Sequence, residues 1–139
     1  MTPRTKLDAL IGVLEGREDW LARTLAHLAN ALNGSCAEEL RLATRIASEQ
    51  PAANTVDEFR ACEQRVEQQR SSLVKQRAQS SKLFDEHEKA RLMLASAHRR
   101  TETMVKASER IRAGMVAVQN KAEAREQDEL ALLAFQRAG

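Results

Sequence analysis

Apolar residues recur along this chain at alternating spacings of three and four, the signature of helices that bury one narrow stripe against a partner helix. The first series runs Leu7, Ile11, Leu14, Glu18, Leu21, Leu25, Leu28, Leu32, Ser35, Glu39, Leu42, Ile46, Glu49, and nine of these thirteen positions are apolar. The second runs Phe59, Cys62, Val66, Gln69, Leu73, Gln76, Ser80, Leu83, His87, Ala90, Leu94, Ala97, Thr101, Met104 and Ser108. It continues through Ile111, Met115, Val118, Ala122, Arg125, Glu129 and Leu132, with fourteen of the twenty-two positions apolar. Neither series shows the period of two that marks a strand.

Punctuation divides the chain between the two series. Thr2-Pro3 is a suitable helix entry, because proline tolerates the first turn. Asn33-Gly34 is a turn signal inside the first series, but the seam keeps its phase across it, which favours one continuous helix. Gln50-Pro51-Ala52-Ala53-Asn54 supplies the break, since proline disfavours helix at the residue before it. Thr55-Val56-Asp57-Glu58 then reads as a capping box. The spacing predicts one all-α domain over residues 1–139: helix 3–49, turn 50–55, helix 56–137. A short connection makes the helices antiparallel neighbours, so the expected fold is a long two-helix coiled-coil hairpin whose second helix is the longer.

The register follows from where the turn is centred. With the centre at Asn54, Ile46 meets Cys62, Leu42 meets Val66, Leu25 meets Leu83, Leu14 meets Leu94, and Glu39 faces Gln69 as a polar layer. Leu7 then meets Thr101, leaving about 36 residues, roughly 54 Å of helix from Glu102 onward, without cover from the same chain. That overhang carries the seam residues Met104, Ile111, Met115, Val118 and Ala122. It ends in Leu130, Leu132, Leu133 and Phe135, distributed around the helix. A second copy or a partner protein is expected to cover it.

Composition agrees with a rod rather than a globule: 3% aromatic residues, no tyrosine and 30% charged residues do not build a thick core. The charges interleave to a net +2, and the longest basic run is Arg99-Arg100, too little to make nucleic acid the expected partner. No basic face suits a curved membrane-binding dimer, and no window approaches a membrane span, so a cytoplasmic protein without direct membrane insertion is expected. Cys36 and Cys62 have no metal-site or disulfide spacing and are expected as small buried or half-buried hydrophobes.

Candidate chemistry is sparse. His27, His87 and His98 form neither Glu-x-x-His nor His-Glu-x-x-His, and there is no phosphate-cradling glycine loop and no nucleophile elbow. His87 on the seam reads as a tolerated polar layer, and Glu18, Glu39 and Arg125 as register-setting residues. No enzyme activity, cofactor or metal is expected. The surface of the first helix is more suggestive: Gly12 and Gly16, with Ala9, Ala26, Asn30 and Ala37, make a small-residue stripe flanked by Val13 and the single tryptophan, Trp20. An exposed tryptophan beside low relief suits a binding anchor.

These features together resemble the FliJ/YscO family, the stalk proteins of flagellar and injectisome type III secretion systems. The residues that carry the resemblance are Lys6-Leu7-x-x-Leu10-x-x-x-Leu14, the break near residue 51, and the closing run Arg125-Glu126-Gln127-Asp128-Glu129-Leu130-Ala131-Leu132-Leu133-Ala134-Phe135. The resemblance implies a non-catalytic antiparallel coiled coil, peripherally associated with the inner-membrane secretion apparatus. One end would enter the hexameric secretion ATPase, through Val13, Trp20, Leu130, Leu132, Leu133 and Phe135. The other would meet the export-gate protein of the inner membrane, through Leu42, Ile46, Phe59 and Val66. Phe59 matches an aromatic that such proteins often place just after the turn, whereas Glu63 stands where an apolar residue is usual. Export chaperones are a further partner that the family implies. The alternative from a different class is a homo-oligomeric coiled-coil adaptor or chaperone whose overhang pairs with a second copy.

Overall fold

The computed structural model describes residues 4–49 and 55–138. It contains two helices, α1 (Leu7–Ser48) and α2 (Val56–Ala138), and no strand among the described residues. The second helix is about twice the length of the first, at 83 residues against 42. They pack as the expected antiparallel hairpin. α1 passes through Asn33-Gly34 without a break.

Each helix start has a local chemical cause. At α2 the Glu58 amide donates to Thr55 Oγ1 at 3.2 Å and the Phe59 amide to the Thr55 carbonyl at 3.1 Å, so Thr55 caps the helix as its sequence suggests. At α1 the expected entry at Pro3 lies outside the described residues; within them, Thr5 and Lys6 are not helical and the helix begins at Leu7. The cap is Thr5, whose amide donates to Asp8 Oδ2 at 2.8 Å, the back-reaching half of a capping box with aspartate in the place of glutamate. The Thr5-x-x-Asp8 spacing is the signal that places the start.

The chain forms two compact units. One consists of residues 19–95 and the other of 1–18 with 96–139, so each takes a segment of both helices. In the first unit, Leu21, Leu42, Cys62, Leu73 and Ala90 are buried, with Ser35 and Ser80 among them. In the second, the buried residues are Thr5, Thr101 and Ser108, all hydroxyl-bearing. The stripe read from the sequence is the buried one: every α1 seam position from Leu7 to Glu49 and every α2 seam position from Cys62 to Ser108 is buried or half-buried. Cys62 is buried as expected, but Cys36 is exposed, because it stands one residue past the seam position Ser35 and faces outward.

The register differs from the expected one by about one heptad, or ~7 residues. Ser35 Oγ lies 2.6 Å from Ser80 Oγ, and Gln76 Nε2 donates to Ser35 Oγ at 2.7 Å. Glu49 pairs with Arg65 at 3.2 Å, Glu18 with His98 at 3.5 Å, and Asp8 with Arg112 at 2.6 Å. The apolar pattern repeats every heptad and so tolerates whole-heptad shifts; the polar matches choose among them. The proposed layer of Glu39 against Gln69 is not what sets the pairing, and Gln69 Oε1 is buried without a partner among the described residues. At Gln76 and Ser80 of α2, hydrogen bonds to Ser35 stand where the seam would otherwise make apolar contact.

Candidate functional site

The register determines how much of α2 is left uncovered. Near the start of α1, the cross-contacts among the described residues of its unit are Thr5 Oγ1 with Ser108 Oγ at 2.8 Å, Ser108 Oγ with Asp8 Oδ1 at 3.1 Å, and Arg112 Nη2 with Asp8 Oδ1 at 2.6 Å. Ser108 is the most buried residue of the chain's described part, at 1% exposure. The Thr5 amide first, and then Arg112, Ser108 and the Thr5 hydroxyl, hold the Asp8 carboxyl at about 2, below its usual 3.8, against the opposing effect of desolvation. Among the described residues, this network closes the hairpin contact with polar side chains that all have partners.

Beyond it, every residue from 113 to 138 is exposed, about 26 residues or roughly 39 Å of helix. The uncovered part is thus about ten residues shorter than the sequence-based register implies. It bears Met115, Val116 and Val118 near its start and an apolar collar of Leu130, Leu132, Leu133 and Phe135 near its end. Phe135 is 79% exposed. Burying such a side chain is worth about 1.5–3 kcal/mol, so a collar of four is a large unspent contribution to association.

The other candidate surface lies where α2 begins. Glu49 reaches Arg65, and α2 extends past that level through residues 55–61, which are exposed. An open recess of about 620 Å³ is lined there by Glu49, Phe59, Arg60, Cys62, Glu63, Gln64, Val66, Glu67 and Arg70. Phe59 is 44% exposed at its rim although it continues the seam. Val66 and Ile46 are half-buried. Leu42, at 7% exposure, is chiefly a packing layer between the helices and leaves little surface for a partner. Sequence periodicity could not separate these roles, because a seam residue is a contact to its own hairpin wherever the hairpin has a second strand of helix.

Val13 and Trp20 are exposed on α1, Trp20 at 59%. Open space surrounds Gly12 and Gly16, with nothing within 4 Å of a β-carbon placed there. Val13 lies between the Asp8–Ser108 and Glu18–His98 contacts of its unit, so it stands beside α2 residues of roughly 98–108. Leu130 is at least ~22 residues, about 33 Å, farther along α2. The two therefore do not form one patch on the chain.

A family model described as Flagellar FliJ protein matches residues 3–139, essentially the whole chain. The chain belongs to the FliJ family. FliJ is a non-catalytic component of the flagellar export apparatus. Searches of curated proteins and of solved structures returned no match. Among the described residues of this FliJ-family chain, no helix is long and apolar enough to cross a membrane. No group of three or more His, Cys, Asp or Glu is placed there to hold a metal ion.

Proposed function

We propose that the protein is the central stalk of a type III export apparatus, entering the hexameric secretion ATPase with the uncovered part of α2 and meeting the export gate with the end where α2 begins. The observation that carries this reading is the exposed run from 113 to 138 with its apolar collar, in a chain that a FliJ family model matches over residues 3–139. A collar distributed around a helix suits an enclosing partner better than a flat one, because each face of the helix then finds apolar cover. The ring of a hexameric ATPase encloses in that way. Val13 and Trp20 supply a lateral contact to the same partner, and Phe59 and Val66 at the recess, together with the half-buried Ile46, supply the contact to the gate protein. Leu42 contributes by packing alone. Export chaperones bind as additional partners, and the protein works in the cytoplasm, peripheral to the inner membrane.

The stalk acts on the ring by favouring some subunit conformations over others, which requires contacts that differ from subunit to subunit. A single helix with Leu130, Leu132, Leu133 and Phe135 on different faces offers each of six subunits a different surface. Replacing Leu132, Leu133 and Phe135 together with serine is expected to weaken ATPase binding and abolish its stimulation. Helicity stays high, because all three side chains are exposed in the free protein. ATPase stimulation by the variant at the wild-type level would remove the collar from the mechanism.

A further inference from the structure

The uncovered part of α2 is self-complementary when laid antiparallel against a second copy of itself, and its charges select one register. The seam of α2 continues past Arg112 without a change of phase through Met115, Val118, Ala122, Arg125, Glu129 and Leu132, all exposed. It is the same face that α1 covers as far as Ser108, so a helix laid there prolongs an existing interface. A parallel pairing in register is disfavoured, because Arg125 and Glu129 would each meet their own copies in the seam. An antiparallel pairing centred between Ala122 and Arg125 removes that conflict. Met115 then meets Leu132 of the second copy, and the stems of Arg125 and Glu129 lie over Ala122 and Val118.

The flanking positions decide the register. In this arrangement Lys121 faces Asp128 of the second copy, and two-fold symmetry makes that pair twice. Neither Lys121 nor Asp128 has an ion-pair partner among the described residues. Gly114, with open space around its α-carbon, faces Phe135 of the second copy, which places the most exposed apolar side chain over the position with no side chain. Sliding one heptad in one direction sets Lys121 against its own copy, and in the other direction Asp128 against its own copy. Both slides replace attraction by repulsion.

We infer that two copies of this protein associate reversibly in a two-fold antiparallel pairing of residues 113–138, with Lys121 opposite Asp128, Met115 opposite Leu132 and Gly114 opposite Phe135. The pairing buries Leu132 and Phe135. Resting on the reading of the collar as the ATPase contact, it therefore holds the protein in a form that cannot engage the ring, and ATPase and second copy compete for one surface.

Sedimentation of the full chain alone, at increasing concentration up to its solubility, tests the pairing without reference to the ATPase. Wild type is expected to show a monomer–dimer equilibrium, and Lys121→Asp and Asp128→Lys each to raise the dimer dissociation constant roughly tenfold. The double variant Lys121→Asp/Asp128→Lys is expected to return to the wild-type value, and an equimolar mixture of the two single variants to form heterodimer. A protein monomeric at every concentration overturns the inference. So does a dimer whose dissociation constant is the same in wild type and both single variants. ATPase pull-down with the same charge variants is a separate measurement: the weakened dimers are expected to bind the ring at least as well as wild type, and absence of ring binding by wild type and variants alike would strike the stalk reading while leaving the pairing standing.

Discussion

Individual polar side chains decide more in this protein than its leucines do. Serine and threonine are ordinarily surface residues, yet Thr5, Ser35, Ser80, Thr101 and Ser108 are no more exposed than the buried Leu42, Cys62 and Ala90. They are tolerated because their hydroxyls are paired: Ser35 with Ser80, Thr5 with Ser108, and Thr101 Oγ1 with the Ala97 carbonyl at 3.0 Å. Asp8 is the most consequential single residue, since it accepts from the amide of the cap residue Thr5, accepts from Ser108 and anchors Arg112. Its carboxyl ionises at about 2 in the folded chain against 3.8 ordinarily. A depressed acid stabilises the fold above its unfolded value and loses that contribution as pH falls through the folded one. Asp8 therefore stabilises fully above about pH 4 and ceases to do so near pH 2. Asp8→Asn is expected to lower thermal stability at neutral pH and to flatten the decline between those limits, as followed by circular dichroism melts across a pH series. A decline of unchanged steepness would show that other carboxylates govern the acid limb.

For the two helices, periodicity, capping and the absence of strand signals were sufficient to place both elements and the buried face of each. Leu7, Ile11 and Leu14 line the interface as their spacing requires, and Thr55 caps α2 with the geometry that its side chain invites. The register was not accessible in the same way. A heptad pattern is unchanged by a slide of seven, so the choice falls to sparse polar matches whose partners are distant in sequence: Ser35 with Ser80, and Asp8 with Arg112. Cysteines placed by Ser35→Cys and Ser80→Cys, with Cys36 and Cys62 replaced by alanine, are expected to form a disulfide readily under mild oxidation, because the parent oxygens are 2.6 Å apart. The pair Ser35→Cys and Leu73→Cys, opposite one another in the register centred on Asn54, is expected to remain reduced. Cross-linking of the second pair and not the first, read by gel mobility after cleavage between the helices, would restore the earlier alignment.

In the protein as a working part, the consequential fact is the unequal length of α1 and α2. The sequence alone shows that inequality and the apolar collar at its end, and the FliJ family match over residues 3–139 gives them a setting in flagellar export. If Trp20 contacts the ATPase, its exposed indole is expected to be freely quenched by acrylamide in the isolated protein and shielded when the ring is added. Quenching that is the same with and without the ATPase would confine the contact to the collar. At Leu42 the sequence is silent about role: an apolar side chain at a seam position looks alike whether it packs inside the hairpin or awaits a partner, and only the facing helix distinguishes the two. Helices, caps and buried stripe follow from local spacing, because backbone hydrogen bonding and amphipathic periodicity act over a few residues. The start of the free surface, the pairing of the hydroxyls and the separate placement of Val13 from Leu130 depend on how far one helix slides along the other. That sliding distance is set by contacts between residues up to 104 positions apart, which no local pattern encodes.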